Sequence, residues 1–378
     1  MSEVCIAGYA RSPFTFAHKG ALIHTRPDDL GGIVVKALVA RLGVDPTEIE
    51  DVIVGCAFPE GEQGFNVARL IGLLAGIPTS AAGATVNRFC GSSMQAIHIA
   101  AGAIRMGAGE AFVCAGIESM SRVPMGGFNP MPNPTLYETM PEVFMSMGET
   151  AEVLARKYQI RREEQEAFAV ESHRKAAAAS GGGKLKGEIV PIETEAGVVE
   201  VDGCIRPDTN AEKLKTLQPA FAADGTVTAG TSSPLTDGAA AVFVCSEDYA
   251  KKKGLKVLAR VKSIAVAGCA PEVMGIGPVL ATRKALARAG LQLTDMDLIE
   301  INEAFAVQVL ACGRELGFDQ TKMNLDGGAV ALGHPLGATG ARITGKAAQL
   351  LQREGKRYAL ATQCIGGGQG IATVLEAA

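Results

Sequence analysis

The chain has 378 residues, 47% of them hydrophobic and 20% charged, which is enough for one large or two medium cores. Its 46 glycines fall in clusters and follow no fixed period, which excludes collagen-like and low-complexity architectures. A formal net charge of −4 gives no general attraction to nucleic acid or acidic lipid, and no apolar run reaches bilayer length.

The opening MSEVCIAGYARSPF reads as a strand and a turn, not as a charged region leading into a long apolar stretch, so the cytoplasm is the expected location. Nine cysteines, an odd number without CxxC spacing, point to reduced thiols. The five histidines are scattered and none pairs with a cysteine at ligand spacing, so no metal site is expected. Residues 38–58 read as a helix ending near Gly43, a turn opened by Thr47 and a buried strand. Next comes VNRFCGSSMQAIHIAAGAIRMG, which sets Cys90 before Gly91, Ser92 and Ser93 and then begins a helix. Met94, Ile97, Ala101 and Ile104 share one face of it. A thiol at such a helix mouth is expected to be accessible, its pKa lowered from about 8.5 into the ~3.5–7.5 range by the dipole. The alternative is a small buried apolar residue, which suits Cys5, Cys114 and Cys245.

Beyond this helix the composition changes. MGGFNPMPNP is loop, 148–179 a long helical stretch, and GGGKLKGE another loop. Residues 285–305 then repeat 38–58 at an offset of 247, and Gly337 onward repeats Gly91 onward at an offset of 246. Strand VCIAG ending at Gly8 resembles IAVAG ending at Gly268. AVFV at 241–244 resembles ATVL at 372–375, but at an offset of only 131. The drop implies an excess of about 115 residues in the first copy, near 121–226. Two β-α-β halves, each a sheet covered by helices, are therefore expected, with a lid-like insertion in the first.

The second half supplies the rest of a candidate site. GGAVALGHPLGATGAR carries His334 in the loop before the repeated helix, where Leu336 takes the place of Cys90. If the halves pack about a pseudo-two-fold, the two loops face one another, and a histidine beside a cysteine activates a thiol nucleophile. A turn or helix-capping histidine is the alternative. INEAFAVQ puts Asn302 at a strand end, a common place for functional residues, or at a helix N-cap. ATQCIGGGQGIA puts Cys364 after a strand and before three glycines, either at a ligand or in a core. GARITGKA nearly fits a phosphate loop, but Ala347 stands where a hydroxyl is needed and the segment lies mid-helix.

Together NRFCGSSMQAI, NEAFA, GGAVALGHPLGATGAR and CIGGGQG resemble the thiolases, over essentially the whole chain. The resemblance implies an α/β fold with a duplicated core, a five-layer αβαβα sandwich with an inserted loop domain. Its parts would be an N-terminal half at 1–120 plus 227–250, a CoA-covering domain at 121–226 and a C-terminal half at 251–378. It implies Cys90 as the acyl-accepting nucleophile and His334 as its activator. Cys364 would be the general acid and base, and Asn302 would hold a water in the first oxyanion hole. The amides of Cys90 and Gly366 would form the second. Arg206, Ala229, Ser233 and Leu235 match CoA-contacting segments, while Met147 and Met274 match residues shaping the acyl and pantetheine pocket. CoA enters as co-substrate, with no permanently bound cofactor. A homodimer or homotetramer is implied, and among partners a hydratase/dehydrogenase subunit of a β-oxidation complex. Ser146 before Met147, and CGSS where condensing members read CGSG, resemble the degradative branch acting on 3-ketoacyl-CoA. Acetoacetyl-CoA condensation, and a non-catalytic lipid-binding relative, are the alternatives.

Overall fold

The computed structural model describes residues 2–378. The first half begins with β1 (Val4–Arg11), the short β2 (Thr15–Phe16), α1 (Pro27–Leu42), β3 (Asp51–Gly55), α2 (Val67–Leu74), β4 (Ala82–Val86), α3 (Ser92–Met106) and β5 (Ala111–Ser119). A long connection follows, holding α4 (Pro134–Thr139), α5 (Met147–Lys157), α6 (Arg162–Gly181), β6 (Ile192–Thr194), β7 (Gly197–Val199) and α7 (Ala211–Lys215). It returns as β8 (Thr236–Ser246) and α8 (Glu247–Lys253). The second half runs β9 (Ala259–Gly268), α9 (Gly277–Ala289), β10 (Leu298–Ile301), α10 (Ala306–Leu316), α11 (Ala329–Leu332), α12 (Thr339–Glu354), β11 (Tyr358–Ile365) and β12 (Gln369–Ala377). Among the described residues no helix is long and apolar enough to cross a membrane.

The strand order β10-β11-β12-β9-β1-β8-β5-β3-β4 displays the duplication directly. β3 and β5 are parallel, β5 and β8 antiparallel, β8 and β1 antiparallel. The second half repeats this with β10 and β11 parallel, β11 and β12 antiparallel, and β12 and β9 antiparallel. The halves meet edge to edge where Cys5 pairs with Arg260 and Ile6 with Ala259. The connection 120–235 joins β5 to β8, while the equivalent β11 and β12 are joined by the tight turn Gly366–Gly368.

Five layers result. α1 and α2 pack on the outer face of the first sheet half, where Val34, Val35, Leu38, Val52 and Ile71 are buried. α9 and α10 cover the outer face of the second half, burying Val279, Leu286, Ile299 and Val309. Between the halves lie α3 and α12, with Met94, Ile97, Ile343 and Leu351 in one apolar layer. The expected face of α3 is buried throughout. Each large apolar side chain so buried contributes about 1.5–3 kcal/mol.

α12 is buried on nearly all sides, including Arg342 and Lys346. Charges in a dry layer need partners. Arg342 donates to Glu300 at 3.1 Å, and Lys346 donates to Asp326 at 3.0 Å and forms an ion pair with Glu188. Glu188 also accepts from Arg11 at 2.7 Å, and Arg11 pairs with Asp202. This network ties two carboxylates of the long connection to the central helix and to β1. The stretch 148–179 is not one helix: Gln159 adopts φ +51 between α5 and α6, and Arg314 of α10 donates to the freed Tyr158 carbonyl.

α3 and α12 cross closely because small residues line their contact. A Cβ on Gly340 would overlap the backbone nitrogen of Met94, so Gly340→Ala must push the helices apart. Overpacking of this kind costs about 1–3 kcal/mol. Gly102, on α3 with open space around its Cβ position, should instead gain about 0.5–1 kcal/mol on conversion to alanine. Thermal unfolding of the two variants is expected to move Tm in opposite directions, down for Gly340→Ala and up for Gly102→Ala.

Candidate active site

β4 ends one turn before α3, and that turn carries Cys90. Asn87 Oδ1 accepts the Phe89 amide at 2.9 Å, stabilising Phe89 at φ +42. Ser92 Oγ accepts the Arg88 amide at 2.9 Å and donates to the Phe89 carbonyl at 2.6 Å. Local side-chain bonds therefore close the turn and fix the thiol just outside the N-cap Gly91. Gln363 donates to the Cys90 carbonyl and joins this turn to β11.

The accessibility expected for Cys90 is corrected by the structure. The residue is 8% exposed, and burial pushes its thiol up to about 12, not down. The backbone amides of Gly366 and of Cys90 itself oppose that rise, while Glu118 adds to it. Desolvation outweighs the helix terminus because a thiolate loses its hydration outright, whereas the dipole acts as only a partial charge.

His334 lies between α11 and α12. Gly333 precedes it at φ +103, and a Cβ there would meet Thr236 Oγ1 at 2.7 Å. That oxygen accepts the His334 amide at 3.0 Å. The imidazole reaches Asn302 Nδ2 through Nε2 at 3.3 Å and Thr339 Oγ1 through Nδ1 at 2.6 Å. Burial, and secondarily the Arg342 charge, hold His334 down to about 3. Asn302 follows β10 and does not cap a helix, since α10 begins after Phe305. Its Oδ1 is buried without a partner.

Cys364, expected just after a strand, is the penultimate residue of β11. Burial raises its thiol well above the usual range, with Cys90 the next contributor. Beneath the site Glu118 collects five donors: the amides of Ala57, Phe58 and Gly337 at 2.8, 3.2 and 2.9 Å, Gln63 Nε2 at 2.8 Å and the Cys56 thiol at 3.7 Å. One carboxylate thus holds the loop of the first half to the loop after His334.

A cavity of about 170 Å³ opens over these groups. Cys90, His334 and Cys364 line it together with Met147, Met274, Ser233 and Leu235. Asn302 and Gly366 reach the same centre through His334 and Cys90. Arg206 and Ala229 stand outside the lining. The amide of Arg206 donates to His173 Nδ1 at 3.1 Å, and Ala229 is exposed. Sequence reading missed Met120, Met125, Phe221 and Phe305 as cavity walls, along with Glu118 and Thr339. Glu118 carried a signal, as the one acid in the apolar strand AFVCAGIES. Ser146, also in the lining, caps α5 through a box with Glu149.

The site is chemically a neutral thiol, a neutral imidazole and a second neutral thiol around an apolar chamber, with the backbone amides of Cys90 and Gly366 acting to lower the first thiol's pKa. Such a set can attack a carbonyl, bind the resulting oxyanion and deliver a proton.

The first part of the chain, residues 4–248, matches the thiolase N-terminal domain, and residues 255–377 match the thiolase C-terminal domain. The 3-ketoacyl-CoA thiolase of Bacillus subtilis is 50% identical over 389 aligned residues, covering 100% of both chains. That of Vibrio vulnificus is 47% identical, also over 100% of both. The crystal structure of human mitochondrial 3-ketoacyl-CoA thiolase superposes with a TM-score of 0.92 at 40% identity, covering 100% of this chain and 99% of that one. The Bacillus anthracis acetyl-CoA acetyltransferase gives 0.91 at 41%, with the same coverage.

A Cys90 thiol pushed up to about 12 beside a histidine held down to about 3 has a definite reactivity profile. The reactive thiolate fraction should rise about tenfold per pH unit below the thiol pKa. Alkylation of the Cys90 peptide by iodoacetamide, followed by mass spectrometry, is expected to climb without levelling from neutral pH to pH 9. A plateau around neutrality would reveal a standing thiolate–imidazolium pair.

Proposed function

The chain belongs to the thiolase family, and on that premise we propose that it cleaves 3-ketoacyl-CoA with CoA, giving acetyl-CoA and a shortened acyl-CoA. The supporting observation is the convergence of Cys90, His334 and Cys364, from three separate stretches, on one apolar cavity, with Asn302 from a fourth bonded to His334 behind its wall. The curated relatives cited above bear the name 3-ketoacyl-CoA thiolase, which favours the degradative direction over condensation of two acetyl-CoA.

In this reading the Cys90 sulfur attacks the ketone carbon as its proton passes to His334 Nε2. The imidazolium and a water held by Asn302 then face the alkoxide. Collapse forms the Cys90 thioester and breaks the carbon–carbon bond, and the acetyl-CoA enolate takes the Cys364 proton. Burial keeps that thiol protonated, as an acid must be. The resulting Cys364 thiolate deprotonates CoA, which attacks the thioester while the Cys90 and Gly366 amides hold its oxygen. Cys90 leaves as thiolate and recovers its proton from His334. A positioned proton carrier contributes about 10²–10⁴ in rate, and one oxyanion donor about 10²–10³.

CoA is the co-substrate, and segment 121–226 is read as its cover, between an N-terminal half at 1–120 plus 227–250 and a C-terminal half at 251–378. Arg206, Ala229, Ser233 and Leu235 would meet CoA, the first two beyond the cavity. The working form is a homodimer or homotetramer in the cytoplasm. Supporting that, β4 is a sheet edge paired only to β3, and Met125, Phe128, Met131 and Tyr137 are exposed. A hydratase/dehydrogenase subunit would find the same apolar run.

Cys90→Ala should abolish turnover while leaving fold and CoA binding intact; a normal kcat would remove the mechanism. Cys364→Ala is expected to form the Cys90 thioester far better than it turns over. Equal loss of both activities would contradict the division of labour. Steady-state thiolysis over a ladder of 3-ketoacyl-CoA lengths tests the substrate class: activity confined to acetoacetyl-CoA would favour the condensing reading.

A further inference from the structure

We propose that Thr339 is a positioning residue that fixes the tautomer of His334, so that Nε2 carries no hydrogen in the cavity it shares with the Cys90 thiol. The inference rests on the reading of Cys90 and His334 given above. His334 Nδ1 is 2.6 Å from Thr339 Oγ1, and that hydroxyl is 3.0 Å from the Pro335 carbonyl, to which it donates. With its own proton committed to Pro335, the hydroxyl accepts at Nδ1. On the other side of the ring Nε2 is met by the Asn302 Nδ2 donor at 3.3 Å. A donor at Nε2 and an acceptor at Nδ1 agree on one tautomer only, with the hydrogen on Nδ1.

Position makes the arrangement rigid. Thr339 is wholly buried and is the first residue of α12, whose packing against α3 is set by Gly340. Its amide also donates to the Pro335 carbonyl, at 3.1 Å, so backbone and hydroxyl fold over the same oxygen. The partner's chemistry matters as much as its place. In the Ser-His-Asp arrangement a carboxylate orients the histidine and also stabilises the imidazolium. A hydroxyl performs the first task without the second. Burial, with the Arg342 charge second, disfavours a cation on His334. The Cys90–His334 pair therefore stays uncharged until an incoming carbonyl draws the thiol proton across.

Thr339→Val keeps the side-chain shape and removes the hydroxyl, while Thr339→Ser keeps the hydroxyl and removes a methyl. Formation of the Cys90 acyl-enzyme from acetoacetyl-CoA, without added CoA, is followed by quench and mass spectrometry. Since a well-placed proton acceptor contributes about 10²–10⁴, Thr339→Val is expected to slow acylation by roughly 10–100-fold with little change in KM. Thr339→Ser should restore most of the rate. In protein labelled with ¹⁵N-histidine, wild type should show His334 protonated at Nδ1, Thr339→Ser should match it, and Thr339→Val should shift toward the Nε2 form. A wild-type spectrum with the proton on Nε2 overturns the inference whether or not the variants fold. Equal loss of rate in Val and Ser variants, or an unshifted tautomer in Thr339→Val, overturns it too. Cys90→Ala run alongside separates the two readings: acylation persisting there removes the proposed function, whereas a dead Cys90→Ala beside a fully active Thr339→Val removes only the role of Thr339.

Discussion

The close crossing of α3 and α12 in the dry central layer is the constraint on which the site depends. Each helix begins at a loop that carries one reactive group, Cys90 before α3 and His334 before α12. The two loops meet only because the helices approach at their N-terminal ends, where Gly340 leaves room for the Met94 backbone. A further carboxylate, Glu118, then bonds the backbone on both sides of the junction. Fold and chemistry are here one problem, since any side chain that spreads the helices also parts the nucleophile from its base.

Dryness sets the electrostatics. Buried charges on α12 are met one by one, Arg342 by Glu300 and Lys346 by Asp326 and Glu188, because an unpaired charge there would cost several kcal/mol. The reacting groups answer the same pressure differently: they stay neutral. Both thiols are raised and the imidazole lowered by burial. A neutral resting site avoids holding a thiolate in an apolar chamber. It reserves charge separation for the moment when the two amides at the Cys90 sulfur have an oxyanion to receive.

Much of the architecture was legible in the sequence because its signals are local. The helix–glycine–turn–strand pattern of 38–58 recurs at 285–305 as α1 with β3 and α9 with β10, and periodicity alone found the buried face of α3. What could not be read depends on distant partners. The break at Gln159 answers to Arg314 of α10, and the contact of β1 with β9 rests on two residue pairs. At Cys90 the window showed a helix mouth but not the walls above it, so the direction of the pKa shift came out reversed. Asn302 and His334 are 32 residues apart and meet at 3.3 Å. Thr339 lay inside a motif already singled out, five residues past His334, and only the ring orientation gives it meaning.

Duplication explains how unlike groups arrive at like places, but symmetry alone would leave the site open. In the second half a three-glycine turn joins β11 to β12, and that turn lends the Gly366 amide to the thiol of the first half. In the first half the equivalent hairpin is replaced by the whole of 120–235, which supplies Met147, Phe221 and Ser233 to the cavity wall and anchors itself through Glu188 and Asp202 to the buried charges below. A tight turn cannot exclude water, and a long cover cannot bring a backbone amide to within hydrogen-bonding distance of a buried sulfur without crowding it. Assigning the turn to one half and the cover to the other meets both demands, so the asymmetry between two related halves is what turns a repeated scaffold into a single walled chamber over the reactive groups.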